Sequence, residues 1–307
     1  MRSAKDVLAE DYGLPGATLH PLPRGHTNDS SSVDAPGGRF VLRVAWRGKA
    51  LGAVLDEERL LHALRHTNIT PRVVLTRAGA LRSGVDGRVA HLFHRLPGAT
   101  RDVAPSPAQA RAALATLARL HDALRAVPCD GSDPVASLRA RAVRVFDGDI
   151  PRWPADVTAA LPRVRRRIAD VLQQATSALA GQRPQWLHGD YHLGNLLFTR
   201  DAVTGVVDFD DCGTGAPAVD LAVALYALAR DPAHEPALRF DPALWRAGAA
   251  AYGVASPWRE PDALAEDLFC VHQALLHLEA SRRGLWALAP GIGFYPCFNA
   301  LCGDGAR

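Results

Sequence analysis

Apolar positions recur with a period of two through much of the first hundred residues, broken by turn-forming residues. Residues 39–46 alternate apolar and polar side chains behind the Ala35-Pro36-Gly37-Gly38 turn, which predicts a strand entered from a hairpin. Residues 51–64 then set Leu60, Leu61 and Leu64 at helical spacing, with Glu57 on the same face. Residues 70–76 and 88–93 read as two further strands, flanking turns at Ser83-Gly84 and Asp86-Gly87. Leu96-Pro97-Gly98 closes this region as a hinge. Beyond it the period changes. Residues 108–124 carry Leu114, Leu117 and Leu120 on one helical face, and residues 162–179 form a second helix with Pro162 in its first turn and Gly181 past its end. A hairpin follows, with strands near 195–199 and 205–209. Residues 216–229 predict a buried helix, apolar on most of its circumference. The pattern divides the chain at about residue 97 into a strand-rich part, 1–97, and a mostly helical part, 98–307.

Composition narrows the classes. The chain has 307 residues, 48% of them hydrophobic and 22% charged, which is ordinary for a chain with a buried core and argues against disorder. The net charge is +3, from 35 basic and 32 acidic residues, too small to require nucleic acid or an anionic membrane as partner. Arg163, Arg165, Arg166 and Arg167 cluster on one predicted helix, but no aromatic residues are interleaved to stack on bases, so a solvated face is the reading. The longest apolar run, residues 221–229, is about half of a membrane span. The N-terminus alternates charge with apolar residues and has no secretory pattern. Five cysteines, at 129, 212, 270, 297 and 302, form no CxxC pair; ordinary thiols in a reducing cytoplasm are expected, rather than a metal or redox pair at Cys297 and Cys302. Only Lys5 and Lys49 are lysines.

The chemistry-bearing residues gather in residues 185–221. An apolar run ends in His188-Gly189-Asp190, and Asn195 follows five residues after the aspartate. A hairpin then delivers Asp208, Asp210 and Asp211 at an apolar strand end. Phosphoryl transfer needs a carboxylate that orients the attacking hydroxyl and accepts its proton, and oxygen ligands that hold Mg²⁺ against phosphates. An Asp-x4-Asn loop followed by an apolar-Asp terminus supplies both. Bland roles stand beside these: Asp190 as a turn acid, Asn195 as a cap, Asp220 as an acid favoured at a helix N-terminus. Asp208 at the end of an apolar strand is better explained by a cation than by solvent. On an extended chain Asp210 shares its face, while Asp211 points away.

These motifs, His-Gly-Asp-x-His-x-x-Asn over residues 188–195 and Val206-Val207-Asp208-Phe209, resemble those of the aminoglycoside phosphotransferase / choline kinase-like family. The resemblance implies an α+β, protein-kinase-like two-lobe fold, with a small antiparallel β-sheet lobe and a larger mostly helical lobe. It implies an ATP-dependent phosphotransferase that moves the γ-phosphate of ATP to a hydroxyl of a small molecule (aminoglycoside-, choline-, amino-acid- or sugar-like). By it, Asp190 is the catalytic base and His192 a phosphate contact. Asn195 and Asp208 are Mg²⁺ ligands that Asp210 joins, and His188 and Asp220 organise the loop. Arg43 on the third strand, paired with Glu57, takes the place where protein kinases use Lys; Lys49, past the strand end, is a poor substitute. Gly25 and Ser30 belong to the phosphate-covering loop, and Phe93 and Leu96 bracket the backbone that bonds adenine.

Four rival readings are weighed. A zinc hydrolase built on His188 and His192 needs a helix that Gly189 disfavours. A glycosyltransferase using Asp208-Phe209-Asp210 lacks the parallel sheet that chemistry favours. A pseudokinase is motivated by Arg43 and the single loop glycine, and a Ser/Thr protein kinase shares the fold. For the acceptor, Glu266, Asp267, His272, Gln273, His277 and Glu279 lie on one helical stretch; a polycationic aminoglycoside needs an acidic pocket that the slight positive balance does not support.

Overall fold

The alternation of residues 39–46 becomes a strand because the pleat sends Phe40, Leu42 and Val44 to one face and Val41 and Arg43 to the other. The computed structural model describes residues 2–22, 27–101, 104–148, 151–230, 238–253, 256–288 and 294–303. The chain forms two compact units, Met1–Gly98 with Thr204–Asp210, and Ala99–Val203 with Asp211–Arg307. The first unit therefore takes in a segment, Thr204–Asp210, that lies far along the sequence in the mostly helical part. Two bonds tie it there: Val206 N–H donates to the Ile69 carbonyl at 2.7 Å, and the Thr204 hydroxyl to the Pro97 carbonyl at 2.7 Å.

The first unit opens with α1 (Ala4–Glu10), started by a Ser3–Asp6 capping box. Then come β1 (Thr18–Pro21), β2 (Asp29–Ala35), β3 (Gly38–Val44), α2 (Leu51–Ala63), β4 (Ser83–Val85) and β5 (Arg88–His94). The strands make one antiparallel sheet in the order β1-β2-β3-β5-β4. Its core joins Phe40, Leu42 and Val44 to Val33, Ala90, Leu92 and the α1 residues Val7 and Leu8. Each large side chain so buried contributes about 1.5–3 kcal/mol. The register sets Ser30 opposite Arg43 and Arg43 opposite His91, so Arg43 is central on the face away from that core.

Residues 70–76 do not form the strand expected of them. They touch β5 through a single bridge, Val73 to Phe93, and Ser83–Val85 takes the edge position instead. Pro71 has no N–H to give a ladder, and the Thr76 hydroxyl accepts the Ala80 N–H to close a turn.

The second unit holds α3 (Pro107–Leu124), α4 (Ala136–Phe146), α5 (Ala155–Ala178), β6 (Gln185–Leu187), β7 (Leu196–Thr199), β8 (Ala202–Val206), β9 (Gly213–Gly215), α6 (Pro217–Ala229), α7 (Pro242–Tyr252), α8 (Ala263–Arg282) and α9 (Phe294–Cys302), with β8 running on into the first unit. α6 is buried almost all round and packs on α3, α7 and α8. β6 pairs with β9, Leu187 opposite Gly213, which sets the loop leaving β6 beside the chain entering β9.

Helix α5 begins at Ala155, earlier than expected, and carries Pro162 in its interior. The proline forfeits one backbone bond, about 3 kcal/mol. The apolar stripe Val157, Leu161, Val164 and Ile168 runs through it unbroken and keeps the helix whole. The hairpin is also tighter than expected: β8 ends at Val206, and Asp208 lies beyond it with a left-handed φ of 65°. Asp208 and Asp210 are thus not spaced along an extended chain. All five cysteines are free thiols. Among the described residues no helix is long and apolar enough to cross a membrane.

Candidate active site

Within the first unit, cations and carboxylates from four segments converge. Arg43 projects from β3 toward α2, where it bonds Glu57, a carboxylate only 1% exposed. Lys49 lies just before α2. Gly48, at a φ of 88°, turns the chain back after β3, and Lys49 Nζ reaches Glu57 at 2.8 Å and Asp210 at 2.6 Å. The Asp210 Oδ1 atom is also 3.6 Å from Arg43, and its Oδ2 accepts the Asn28 amide N–H at 2.8 Å. Asn28 in turn accepts the Trp46 N–H at 3.3 Å. Asp208 stands 3.8 Å from Arg43 with 40% of its side chain exposed. The Arg43 guanidinium lies 5.3 Å from the Phe93 ring centre, within cation–π range.

Burial opposes every charge in this cluster, and opposite charge prevails. Burial would lower the Arg43 and Lys49 pKa values, but Glu57 and Asp210 raise both. It would push Glu57 and Asp210 up, but Arg43 and Lys49 hold both below the usual carboxylate range. Beside them His91 donates to Glu58 at 2.8 Å and Arg82 reaches the same carboxylate at 2.6 Å.

Several of the residues weighed in the sequence are placed as follows. Lys49, set aside in the sequence, is a full member of the cluster with 4% of its side chain exposed. Both oxygens of Asp210, expected to join the metal ligands, are engaged by Lys49, Arg43 and Asn28. Ser30 belongs to β2, its carbonyl accepting the Leu22 N–H at 3.0 Å, not to a covering loop; Gly25 lies outside the described residues. Phe93 lies inside β5 in register with Val41, so its backbone serves the sheet, whereas Leu96 stands past the strand end.

In the second unit a loop is pinned by hydrogen bonds. Asp220, in the first turn of α6, accepts the His188 N–H at 2.7 Å and the Gly189 N–H at 3.0 Å. Its Oδ2 lies 3.2 Å from His121 Nε2, and His121 Nδ1 lies 2.8 Å from the Tyr252 hydroxyl. A carboxylate only accepts, so His121 donates from Nε2 and takes the tyrosine O–H at Nδ1. Burial would raise the Asp220 pKa, but His121, His188 and the Gly189 N–H hold it below the usual range. Gly189 has a φ of 84°, and a Cβ there would sit 1.9 Å from the Asp211 carbonyl oxygen, so no other residue fits. His272 of α8 closes the other side, donating from Nε2 to the Gly189 carbonyl at 2.6 Å. Burial lowers the His272 pKa and favours this neutral, donating form.

Asp190 projects from that loop. Asn195 Nδ2 donates to the Asp190 carbonyl at 2.9 Å and lies 3.4 Å from its Oδ2. His192 Nδ1 accepts the Gly194 N–H at 3.1 Å, which leaves the proton on Nε2, 3.3 Å from Asp190 Oδ2. His192 is therefore turned to the aspartate itself. Burial would push the Asp190 pKa up, but His192, His272 and His188 pull it below the ordinary carboxylate range, so Asp190 is an anion at neutral pH. Asp211, Arg141 and Glu279 form an ion-paired group nearby. Of the α8 residues singled out for the acceptor, Asp267 pairs with Arg167 of α5 at 2.6 Å instead.

Sequence reasoning passed over His121 and Arg141, and set Lys49 aside. Only Lys49 left a signal: it is one of two lysines and follows a glycine between a strand and a helix.

Among the described residues no three His, Cys, Asp or Glu side chains stand close enough to hold a metal ion. Mg²⁺ is commonly held by one or two protein oxygens together with substrate phosphates. In the first unit the half-exposed Asp208 is a hard oxygen donor of the kind such an ion takes; in the second unit the described contacts of Asn195 all use Nδ2.

Comparison with known proteins bears on the same residues. The model of the phosphotransferase enzyme family matches residues 18–258. An uncharacterized protein of Deinococcus radiodurans is 30% identical over 280 residues, covering 88% of this chain and 78% of its own. A homoserine kinase of Methylobacterium nodulans is 28% identical over 280 residues, covering 89% and 82%. Among solved structures, a microcompartment-associated aminopropanol kinase superposes with a TM-score of 0.65 at 23% identity, covering 97% and 94%. That likeness shows the fold, the α+β protein-kinase-like combination of an antiparallel sheet and a helical unit. A family match across most of its length makes this chain a member of the phosphotransferase enzyme family, an ATP-dependent kinase of small-molecule hydroxyl groups.

Proposed function

We propose that Asp190 is the base of the transfer and that the acceptor is a small hydroxylated amine or amino acid. One observation carries this reading: Asp190 is an anion whose carbonyl and carboxylate are both gripped, on a loop pinned at His188 and Gly189. In it, Asp190 orients the acceptor hydroxyl and takes its proton as the oxygen attacks the γ-phosphorus of ATP, with ADP leaving. His192 holds the Asp190 carboxylate in place through its Nε2 proton rather than touching phosphate. Arg43 and Lys49 steady the non-transferred phosphates, with Glu57 fixing both cations. Asn195 and Asp208 would each offer an oxygen to Mg²⁺, which when bound neutralises charge on the phosphates. The acceptor class draws on what relatives are named for, homoserine and aminopropanol.

Against a pseudokinase reading stand an ionised Asp190, the two cations Arg43 and Lys49, and the oxygen donor Asp208, groups of the kind that transfer needs. The test is ADP release with a panel of hydroxylated amines and amino acids. Acceptor-dependent release, lost in Asp190→Asn, supports the reading; release that is unchanged in the variant sinks the assignment.

A further inference from the structure

Helix α2 is fastened to the sheet of the first unit at two successive residues, and only one of them meets the cations Arg43 and Lys49. Glu57 and Glu58 stand about 100° apart around the helix, on either side of the line through Val54 and Leu61. Both are buried. Arg43 of β3 and His91 of β5 are directly opposite in register, which sets their side chains next to each other on one face of the sheet. Neighbours on the sheet therefore meet neighbours on the helix: Arg43 bonds Glu57, and His91 Nε2 lies 2.8 Å from Glu58 Oε1. A carboxylate only accepts, so the proton is on Nε2. The second oxygen of Glu58 accepts from Arg82, the residue just before β4, at 2.6 Å. The His91 ring is itself stacked on Phe93, with 5.7 Å between ring centres.

This second fastening supplies a direction that apolar packing does not. Val54, Leu60 and Leu61 are buried and hold α2 down, but the hydrophobic effect is non-directional. The start of the helix adds little, since Ala50 at the N-cap makes no side-chain bond and Leu51 and Leu55 are exposed. The rotation of α2 about its own axis is thus set by its two carboxylates. Because they are consecutive on one helix, a roll that releases Glu58 also displaces Glu57. Glu57 is the carboxylate that Arg43 and Lys49 share, so the placement of both cations depends on how Glu58 is held.

Building on the reading that Arg43 and Lys49 steady the non-transferred phosphates, we infer that Glu58 and His91 are positioning residues for nucleotide binding. They act without touching the nucleotide. Together they fix the roll of α2 at which Glu57 meets both cations, and Arg82 satisfies the remaining oxygen of Glu58.

Calorimetric titration of Mg·ATP into a set of variants tests this. His91→Leu fills the buried space and removes the donor, and a Kd about tenfold above the parent's is expected, the effect of losing one hydrogen bond to a charged group. His91→Gln, which returns an N–H, should recover most of that affinity. Lys49→Met, titrated alongside, should weaken binding too. The double variant His91→Leu/Lys49→Met should fall short of the product of the two single effects, because both act through Glu57. A merely structural pair would lower the melting temperature of His91→Leu and leave its Kd at the parent's value. That result, or single effects that multiply in full, overturns the positioning role. Where His91→Leu does not fold, Arg82→Met carries the test from the partly exposed end of the group: a Kd raised about threefold is expected, and an unchanged one overturns the inference. If Lys49→Met binds Mg·ATP as the parent does, the phosphate-gripping reading and the inference fall together. Weakened binding in Lys49→Met beside an unaltered His91→Leu removes the second fastening alone.

Discussion

In the first unit Arg43 and Lys49 face Glu57, Asp208 and Asp210, so each charge is held by opposite charge. In the second, Asp220 and His272 hold the Asp190 loop by accepting from two backbone N–H groups and donating to one backbone carbonyl. The two solve the same problem, keeping a carboxylate ionised where burial resists it, with different tolerances. Coulombic attraction is weakly directional, so the first cluster depends on how many charges it has and survives small shifts. Hydrogen bonds to backbone fix direction within tenths of an ångström, so the second depends on which atom sits where. A group that grips flexible phosphates suits the first arrangement. A base that must meet one hydroxyl suits the second.

The sharpest break of that comparison is expected at Asp190. Asp190→Asn keeps shape and removes the proton acceptor, and turnover should fall by about 10³-fold at saturating ATP and acceptor. Next comes Asp220→Asn, which sets an amide NH₂ against backbone N–H groups that had an acceptor. A loss of about 3 kcal/mol in stability is expected by urea denaturation, from unsatisfied buried donors. A loss of less than about 1 kcal/mol would show that the loop does not rest on Asp220. In the first cluster a single change should be milder, because partners are shared. Lys49→Met should raise the ATP KM by about tenfold and leave the acceptor KM unaltered. An unchanged ATP KM would reduce Lys49 to a structural ion pair.

The smallest effect is a pH dependence of stability. Burial lowers the folded-state pKa of His91 and of His272, so both stay neutral in the folded chain after their unfolded counterparts have protonated. In that window the unfolded state binds more protons, so stability declines as pH falls below about 6.5 toward each depressed value and is full above it. His272→Gln, which retains an N–H donor toward Gly189, should flatten the melting-temperature profile over that range. A profile identical to the parent would remove His272 from the account.

Much of the second cluster was legible in the sequence because its residues are neighbours. His188, Asp190, His192 and Asn195 share one loop, and the helix start at Pro217 makes Asp220 an expected first-turn acid. The strand bearing Arg43 and the helix face bearing Glu57 followed from periods of two and of 3.6. What escaped depends on distance in sequence or on backbone turns. His121 reaches the loop from α3, and nothing local marks it among twelve histidines; His272, singled out on its helix for the acceptor, instead bonds the Gly189 carbonyl. Asp210 was assigned by extrapolating an extended strand, but the left-handed φ at Asp208 ends that geometry and delivers it to Lys49. Residues 70–76 looked like a strand by composition, and Pro71 with the Thr76 turn leaves them one bridge. Pro162 was taken as a helix start because local propensity favours it there, whereas the apolar stripe of α5 overrode it.

The division of labour between the clusters is tested most directly by calorimetric titration of Mg·ATP into Asp208→Asn and Asp190→Asn side by side. The account predicts that Asp208→Asn loses metal-dependent nucleotide affinity while Asp190→Asn binds as the parent does. Equal affinity in both variants, or loss confined to Asp190→Asn, would contradict it.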